Sequence, residues 1–355
     1  MLFYYNAAAA SDNNWLHNWF IESIDKSLDS IDTNTPVPSW EALTEGYVGE
    51  LRARWALERD FFVLVDAYRN AEGPERGTAR RAITEQNLIA DACEGSMCLR
   101  AADLAKPIAD AAVALGERLF NLLNELGIRE RHYRQIWGSL GNNVCPFCAL
   151  IELDDPSLPG EDLDHYLTRR VYPFAAANLH NLAPMCSRCN MDYKKEKDVL
   201  SAVGTERHYP YAANNPGGVE LSGSVFFANG DDKPPAWRIS LTPSSKEAEW
   251  DRIFEVKSRY QLSILNRRYT AWLEEWASIL PIDVLDSDAA IIAALQRSSS
   301  DWSSRGLHDK AFLKASYLDL VRETLTLGDP TSAQLFAIIR SQIAMRKPAI
   351  APEAA

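Results

Sequence analysis

The chain has 355 residues, of which 46% are hydrophobic and 24% charged, and its formal net charge is −12. This length suits roughly two or three domains, and the composition is typical of a globular protein and argues against disorder. No run of about 18 apolar residues predicts a membrane span, and the first residues lack the basic flank of a secretory signal. We therefore expect a cytoplasmic protein with no membrane partner.

The first 140 residues have the pattern of a helical region. Leucines recur at helical spacing over residues 115–126, directly ahead of Gly127, which is a plausible helix stop. Proline-containing breaks at residues 35–38 and 72–74 divide the region into several helices. We expect residues 1–140 to form a helical domain that serves recognition, partner binding or oligomerisation.

The composition and the predicted secondary structure change twice in the second half of the chain. Residues 205–245 are rich in Gly, Pro and Asn, and strand-like runs at 224–227 and 237–241 predict a β-hairpin-rich insert. Helical patterns return over residues 246–355, where large apolar residues repeat at 3-4-3-4 spacing and predict one amphipathic face. The residues of this face are Leu262, Leu265, Tyr269, Trp272 and Trp276.

Two Cys-x-x-Cys pairs are the most specific pattern in the chain. Each tight turn can present two thiolates to one ion, so two such pairs are the usual components of a tetrahedral zinc site. The six cysteines are too few for a disulfide-rich scaffold, and a reducing compartment favours a metal over a disulfide, although a redox pair is a weaker alternative. We therefore predict one structural Zn²⁺. Its predicted ligands are Cys145, Cys148, Cys186 and Cys189.

A carboxylate, an imidazole and an amide accompany the cysteine pairs. Asp164 and His165 lie between the two pairs, and Asn190 follows the last cysteine. The side-chain oxygens of Asp164 and Asn190 suit Mg²⁺, which keeps several waters and also binds substrate phosphate. If this segment is a strand, His165 points to the face opposite Asp164, where it can stay off the metal and act as a general base.

The order of these residues resembles that of the HNH endonucleases of the ββα-metal fold. The resemblance covers about 55 residues and rests on Cys-Pro-Phe-Cys, Asp-His-Tyr and Asn-Leu-Ala-Pro-Met-Cys-Ser-Arg-Cys-Asn. It implies a zinc-stapled nuclease module over residues 141–204, inserted in a fold that is otherwise mainly α. It also implies that His165 is the general base and that Asn181 orients its imidazole through a hydrogen bond. Asp164 and Asn190 would bind one catalytic Mg²⁺ or Mn²⁺.

The chain departs from the family pattern at two places. Thr168 stands in a segment where members often have proline, so we expect a different loop after the first strand. The trailing lysine is displaced by one residue, which leaves Lys194 and Lys195 as alternative phosphate contacts. Arg169 and Arg170 are further candidates for phosphate binding, and the alternative is that these basic residues form a solvated face.

The function that the resemblance implies is metal-dependent hydrolysis of phosphodiester bonds, with double-stranded DNA as the expected substrate. His165 would deprotonate a water, and Mg²⁺ would stabilise the pentavalent centre and the departing 3′ oxygen, leaving 5′-phosphate and 3′-hydroxyl ends. The helical flanks fit a bacterial phage-defence or toxin-like effector with a regulatory partner or a homo-oligomeric state. Two alternatives stay open: RNA as the substrate, and a zinc-stapled interaction module without catalysis.

The net negative charge needs an explanation in a protein that acts on nucleic acid, because proteins that bind phosphate usually have a patch of basic residues on their surface. Residues 141–200 themselves contain 6 basic and 9 acidic side chains. A bound divalent cation can outweigh nearby carboxylates locally. We therefore expect weak binding of nucleic acid unless a divalent ion or a partner is present.

Overall fold

The chain folds into two compact units, residues 3–216 and 217–355. Within the described residues the fold is mainly α, with two small two-stranded sheets, which confirms the predicted fold class of a helical chain with a short β-rich insert. The assignment of separate roles to the parts bounded at residues 140, 204 and 245 stays a prediction. The computed structural model describes residues 1–158, 163–202, 204–212, 217–231, 233–280 and 287–344.

Helices dominate the first unit. A left-handed Gly127, with φ of 64°, turns the chain from the longest of them into the next, as the leucine pattern before this glycine predicts. The α-helices are α1 (Ala7–Ser11), α2 (Trp15–Asp32), α3 (Trp40–Leu43), α4 (Trp55–Arg69), α5 (Gly73–Asn87), α6 (Ile89–Cys93), α7 (Lys106–Glu125) and α8 (Ile128–Ser139). Shorter 3₁₀ turns are Glu45–Tyr47, Ala101–Asp103, Pro173–Ala175 and Leu179–Asn181, and π-helical segments are Val48–Arg52 and Arg188–Lys194.

A short hairpin follows the helices in sequence. Strand β1 (Leu163–His165) pairs antiparallel with β2 (Leu182–Pro184), so that Asp164 lies opposite Ala183. The π-helix Arg188–Lys194 comes directly after this pair. The described order of this segment is therefore strand, strand, helix.

The connection between β1 and β2 is held by buried side-chain amides of the helices. Gln86 of α5 accepts a hydrogen bond from the Phe174 amide and donates one to the Leu99 carbonyl, each at 2.9 Å. Asn14, at the start of α2, accepts one from the Leu179 amide at 2.9 Å. Because buried backbone groups without partners are costly, these amides supply what a β-ladder would otherwise provide.

Helix α7 lies very close to the same connection at Gly116. A Cβ atom added there would lie 2.7 Å from the Pro173 carbonyl oxygen and 3.1 Å from the Ala176 Cβ. A backbone atom at such a distance can move aside only at a substantial cost in free energy. The absence of a side chain at Gly116 is therefore what lets α7 contact the turn that contains Ala176.

The second unit pairs β3 (Gly218–Glu220) with β4 (Ser240–Thr242), and Val225 forms an isolated bridge to Ala236. The predicted insert is present, although its paired strands lie outside the predicted run at 224–227. The helices that follow are α9 (Ser244–Phe254), α10 (Val256–Arg259), the π-helix Tyr260–Leu265, α11 (Asn266–Ser278), α12 (Asp288–Ser304), the 3₁₀ turn His308–Lys310, α13 (Ala311–Thr326) and α14 (Pro330–Ala344).

The predicted apolar face of the second unit holds only in part. Leu265, Trp272 and Trp276 are buried, but Leu262 is 60% exposed, so its assignment to this face was wrong. Leu262 lies in the π-helix, whose wider turn shifts the residues relative to the α-helical spacing that follows. In the part of the chain that the structure describes, no helix is long and apolar enough to cross a lipid bilayer.

The close approach at Gly116 leads to a stability prediction. Gly116→Ala should lower the thermal midpoint, because overpacking costs about 1–3 kcal/mol while the gain in helix propensity is at most about 1 kcal/mol. Gly77→Ala is the matched control, since Gly77 is also inside a helix and an added Cβ meets nothing within 4 Å. It should be neutral or stabilising. Equal midpoints for the two variants in a thermal melt would contradict the steric account.

Candidate metal centre and catalytic site

The four cysteines of the two pairs form one buried cluster. Their sulfur atoms all lie within 4.8 Å of one another, and the Sγ atoms of Cys148 and Cys186 are 3.9 Å apart. A tetrahedral ion with Zn–S bonds of about 2.3 Å separates its sulfurs by about 3.8 Å, whereas a disulfide needs about 2.05 Å. None of the four forms a disulfide bond. The cluster therefore has the geometry to hold one structural zinc ion.

The first Cys-x-x-Cys turn is shaped to present its sulfurs. The Ala149 amide donates to the Cys145 carbonyl at 2.7 Å, and Ala149 takes a left-handed φ of 50°. This turn lets the Leu150 amide donate to the Cys148 Sγ at 3.4 Å. Amide donors of this kind favour the thiolate form that binds metals.

Binding of a cation would change the protonation of the cluster. Burial raises the pKa of the Cys145 thiol well above its usual range, and hydrogen bonds from the neighbouring thiols raise it further. Thiolates are the form that ligates zinc, so metal binding here must release protons and compensate the charge of buried sulfurs. The donor set of four thiolates suits zinc rather than magnesium.

His165 lies in β1 and its imidazole is almost completely buried. Its Nε2 lies 2.8 Å from the Ala176 carbonyl oxygen, and because a carbonyl only accepts, Nε2 must carry the proton. The lone pair is therefore on Nδ1. The Phe120 ring of α7 packs against the imidazole with 4.3 Å between ring centroids.

The surroundings of His165 keep it neutral. Burial lowers its pKa to about 3, the bond to Ala176 opposes this shift, and the charges of Arg169, Lys194 and Arg129 lower it further. A neutral imidazole can accept a proton, but a pKa of about 3 makes this one a weaker base than a free histidine.

Asn181 does not contact the imidazole in the way that the family resemblance implies. Its Oδ1 accepts from the Leu167 amide at 2.7 Å, and its Nδ2 donates to the carbonyls of Leu167 and Ala175. Both Nδ2 hydrogens are thus used by the connection between the strands. Asn181 acts on His165 indirectly, because it holds the backbone next to Ala176, whose carbonyl fixes the imidazole.

Lys194 also differs from its predicted role. Its side chain is 1% exposed, and its Nζ lies 2.8 Å from the Asp164 Oδ2. Burial raises the pKa of the Asp164 carboxyl, and the Lys194 ammonium counteracts that rise. In this geometry Lys194 compensates a buried carboxylate instead of facing a phosphate.

The fit of a catalytic Mg²⁺ rests on Asp164 and Asn190. Asn190 lies on the same π-helix as Lys194, whose ammonium group contacts Asp164. One carboxylate, one amide oxygen and several waters are a donor set that Mg²⁺ accepts. Among the described residues, the cysteine quartet is the one group of three or more Cys, His, Asp or Glu side chains with metal-binding spacing. A magnesium ion at Asp164 would thus depend on water and substrate for most of its ligands.

The remaining basic candidates lie near the surface. Arg170 and Lys195 are exposed, and Arg169 is partly buried with an ion pair to Glu117 at 3.7 Å. The sequence patterns missed Phe120 and Arg129, which approach His165 from α7 and α8. Neither residue belongs to the motif, and no sequence pattern around either of them indicates that it lies near His165.

Comparisons with known proteins give one local similarity. Over 75 residues the chain is 35% identical to the Septu protein PtuB of Bacillus thuringiensis. The match covers 20% of this chain and 28% of that protein, so the chain spans about a quarter of the length of the curated relative it matches. No family model matches the chain, and no solved structure matches it.

The geometry of the cysteine cluster predicts the metal content. Cys186→Ser should lose the zinc ion and lower the melting temperature, because the short hairpin depends on metal binding for part of its folding free energy. Cys98→Ser is the control, since Cys98 is a partly exposed thiol outside the cluster. Elemental analysis should find one zinc per chain in the wild type and in Cys98→Ser. Zinc-free wild type, or full retention in a Cys145/Cys186 double variant, would disprove the site.

Proposed function

We propose that this chain is a metal-dependent endonuclease of the HNH type that hydrolyses phosphodiester bonds of double-stranded DNA. The observation that supports it most is the arrangement at β1. His165 is held with its proton on Nε2 by the Ala176 carbonyl, next to Asp164 and close to a four-cysteine cluster.

In the proposed reaction, Nδ1 of His165 removes a proton from the attacking water. The hydrogen bond to Ala176 becomes stronger as the imidazole gains positive charge, so the same carbonyl that orients the ring also stabilises its protonated form. Bound at Asp164 and Asn190, Mg²⁺ or Mn²⁺ would supply Lewis-acid stabilisation of the phosphate and the leaving oxygen. Asn181 keeps the backbone around Ala176 in place.

Lys194 has a distinct role in this proposal. With its ammonium at Asp164, the carboxylate is compensated before any substrate arrives, so the site does not present an isolated buried negative charge to a phosphate. Lys195, Arg169 and Arg170 are the remaining candidates for contact with the nucleic-acid backbone.

We also propose that the chain takes part in bacterial phage defence. The local similarity to the Septu protein PtuB supports this context. The substantial helical part of the first unit would then be where a regulatory protein or a second copy binds.

The substrate can be tested directly. Purified protein is incubated with supercoiled plasmid and with RNA, each with Mg²⁺, with Mn²⁺ and with EDTA. Nicking or linearisation of the plasmid that needs a divalent ion supports the proposal, and cleavage of RNA alone changes the substrate. No cleavage of either, with zinc bound and the protein folded, would favour a zinc-stapled interaction module.

The role of His165 predicts the effect of a conservative substitution. His165→Gln keeps an N–H group that can reach Ala176 but has no proton acceptor of suitable basicity, so the cleavage rate should fall about 10²- to 10⁴-fold. His180→Gln is the control, because His180 lies close in sequence and its Nε2 contacts the Ser11 hydroxyl. Rates of plasmid nicking are measured on samples of equal zinc content and melting temperature. Wild-type rates in His165→Gln would remove His165 as the base.

The proposed magnesium ligand predicts a different kind of change. Asn190→Ala should raise the Mg²⁺ concentration needed for half-maximal cleavage, because an oxygen ligand is lost, while the rate at saturating Mg²⁺ falls less than in His165→Gln. A magnesium titration of nicking in both variants separates the two effects. An unchanged magnesium requirement in Asn190→Ala would exclude Asn190 as a ligand.

A further inference from the structure

An aromatic ring of α7 packs against the imidazole of the proposed general base. The centroids of the Phe120 and His165 rings are 4.3 Å apart, with an angle of 53° between the ring planes. The side chain of His165 is buried, so this contact lies inside the protein. Phe120 belongs to α7 and not to the HNH-like segment, and tertiary packing brings its ring to the site.

We propose that Phe120 is the positioning residue for His165: its ring fixes the plane of the imidazole, while the Ala176 carbonyl fixes the tautomer. The inference rests on the proposed nuclease function and adds to it a residue from outside the HNH-like segment. It makes the helical part of the first unit responsible for the geometry of the base.

One hydrogen bond does not fix an imidazole completely. The torsion about the Cβ–Cγ bond of histidine has broad energy minima, and a neutral imidazole can carry its proton on either nitrogen. The bond from Nε2 of His165 to the Ala176 carbonyl, at 2.8 Å, selects the tautomer but leaves the ring free to tilt about the line of the bond. Packing against Phe120 restricts this tilt. Because a phenyl ring offers no polar group, it does so without occupying Nδ1.

Helix α7 contacts both partners of this hydrogen bond. Phe120 contacts the donor, which is the imidazole of His165. Gly116 comes four residues earlier on α7 and therefore lies on the same face. It meets the turn that carries the acceptor, since a Cβ atom added there would lie 3.1 Å from the Cβ of Ala176. One packed helix thus places donor and acceptor relative to each other.

The Phe120 ring is itself held by two guanidinium groups. The guanidinium carbons of Arg129 and Arg169 lie 4.7 Å and 5.0 Å from its centroid. Nη2 of Arg129 is 3.5 Å from the carbonyl oxygen of Leu163 in β1. Arg169 forms an ion pair of 3.7 Å with Glu117 of α7. Because cations attract the face of an aromatic ring, these contacts limit the movement of the phenyl group.

The test removes the aromatic ring and keeps an apolar side chain. Phe120→Leu loses the ring contact with His165, and Phe120→Tyr retains the ring. Phe62→Leu is the matched control, because Phe62 is also a partly buried helical residue of the first unit and contacts the rings of Trp40 and Phe61. Zinc content and melting temperature are measured for every variant.

The tautomer of His165 can be observed without any cleavage, in long-range ¹H–¹⁵N spectra of protein with labelled histidines. The His165 signals are identified by their absence from His165→Gln. Wild type, Phe120→Tyr and Phe62→Leu should show a single tautomer with the proton on Nε2. Phe120→Leu should show both tautomers or signals broadened by exchange, because the imidazole is no longer held in line with the Ala176 carbonyl.

The proposal also predicts which kinetic constant changes. Phe120→Leu should lower kcat for plasmid nicking about 10- to 100-fold, since a small displacement of a reacting group has an effect of this size. The KM for DNA should stay the same, because the ring acts on the imidazole and not on the substrate. Phe120→Tyr should restore most of kcat, and Phe62→Leu should keep the wild-type value.

The outcomes separate this inference from the nuclease proposal. The same His165 tautomer and the same kcat in Phe120→Leu as in Phe62→Leu would overturn the inference and leave the nuclease standing. A wild-type His165 with its proton on Nδ1 would also overturn it. A tautomer change confined to Phe120→Leu, in a protein whose wild type cleaves no nucleic acid, would support the positioning contact and reject the nuclease. If Phe120→Leu loses zinc, Phe120→Met replaces it in both measurements.

Discussion

The buried backbone between β1 and β2 is the constraint on which the rest of the site depends. Most of residues 166–181 are buried, yet this segment has no β-ladder to satisfy its polar groups. Turns within the segment satisfy many of them, and buried side-chain amides of Asn14, Gln86 and Asn181 satisfy others. Gly116 lets α7 come within contact of the Pro173–Ala175 turn. Because the Ala176 carbonyl belongs to this segment, the orientation of His165 follows from how well the helices hold it.

This dependence gives the helices of the first unit a second role. Besides the proposed binding of a partner, α5 holds the connection and α7 lines the imidazole with Phe120. A site built on rigid, packed elements keeps its geometry better than one on a free loop. A short hairpin with little core of its own gains that rigidity from its neighbours.

The charged side chains around His165 are mainly positive, although the chain as a whole is acidic. The net charge is −12, yet the groups that shift the pKa of His165 by their charge are Arg169, Lys194 and Arg129. Lys194 compensates Asp164 inside the protein, and the two arginines stay partly accessible. If the chain acts on nucleic acid as proposed, its net negative charge predicts weak attraction of the substrate at a distance, and screening by salt limits long-range attraction further.

The sequence alone determined the groups whose chemistry depends on residue type and short spacing. The four cysteines meet as predicted, because a Cys-x-x-Cys turn places two sulfurs on one side by local geometry. The helical stop at Gly127 and the mainly helical fold also follow from local patterns. Tertiary structure decided the rest: Asn181 bonds backbone instead of the imidazole, Lys194 turns inward to Asp164, Leu262 leaves its predicted face, and Phe120 and Arg129 join the site. Each of these depends on which surfaces pack together across long stretches of chain, and packing of that kind is set by the shape and burial of whole helices, which no short motif records.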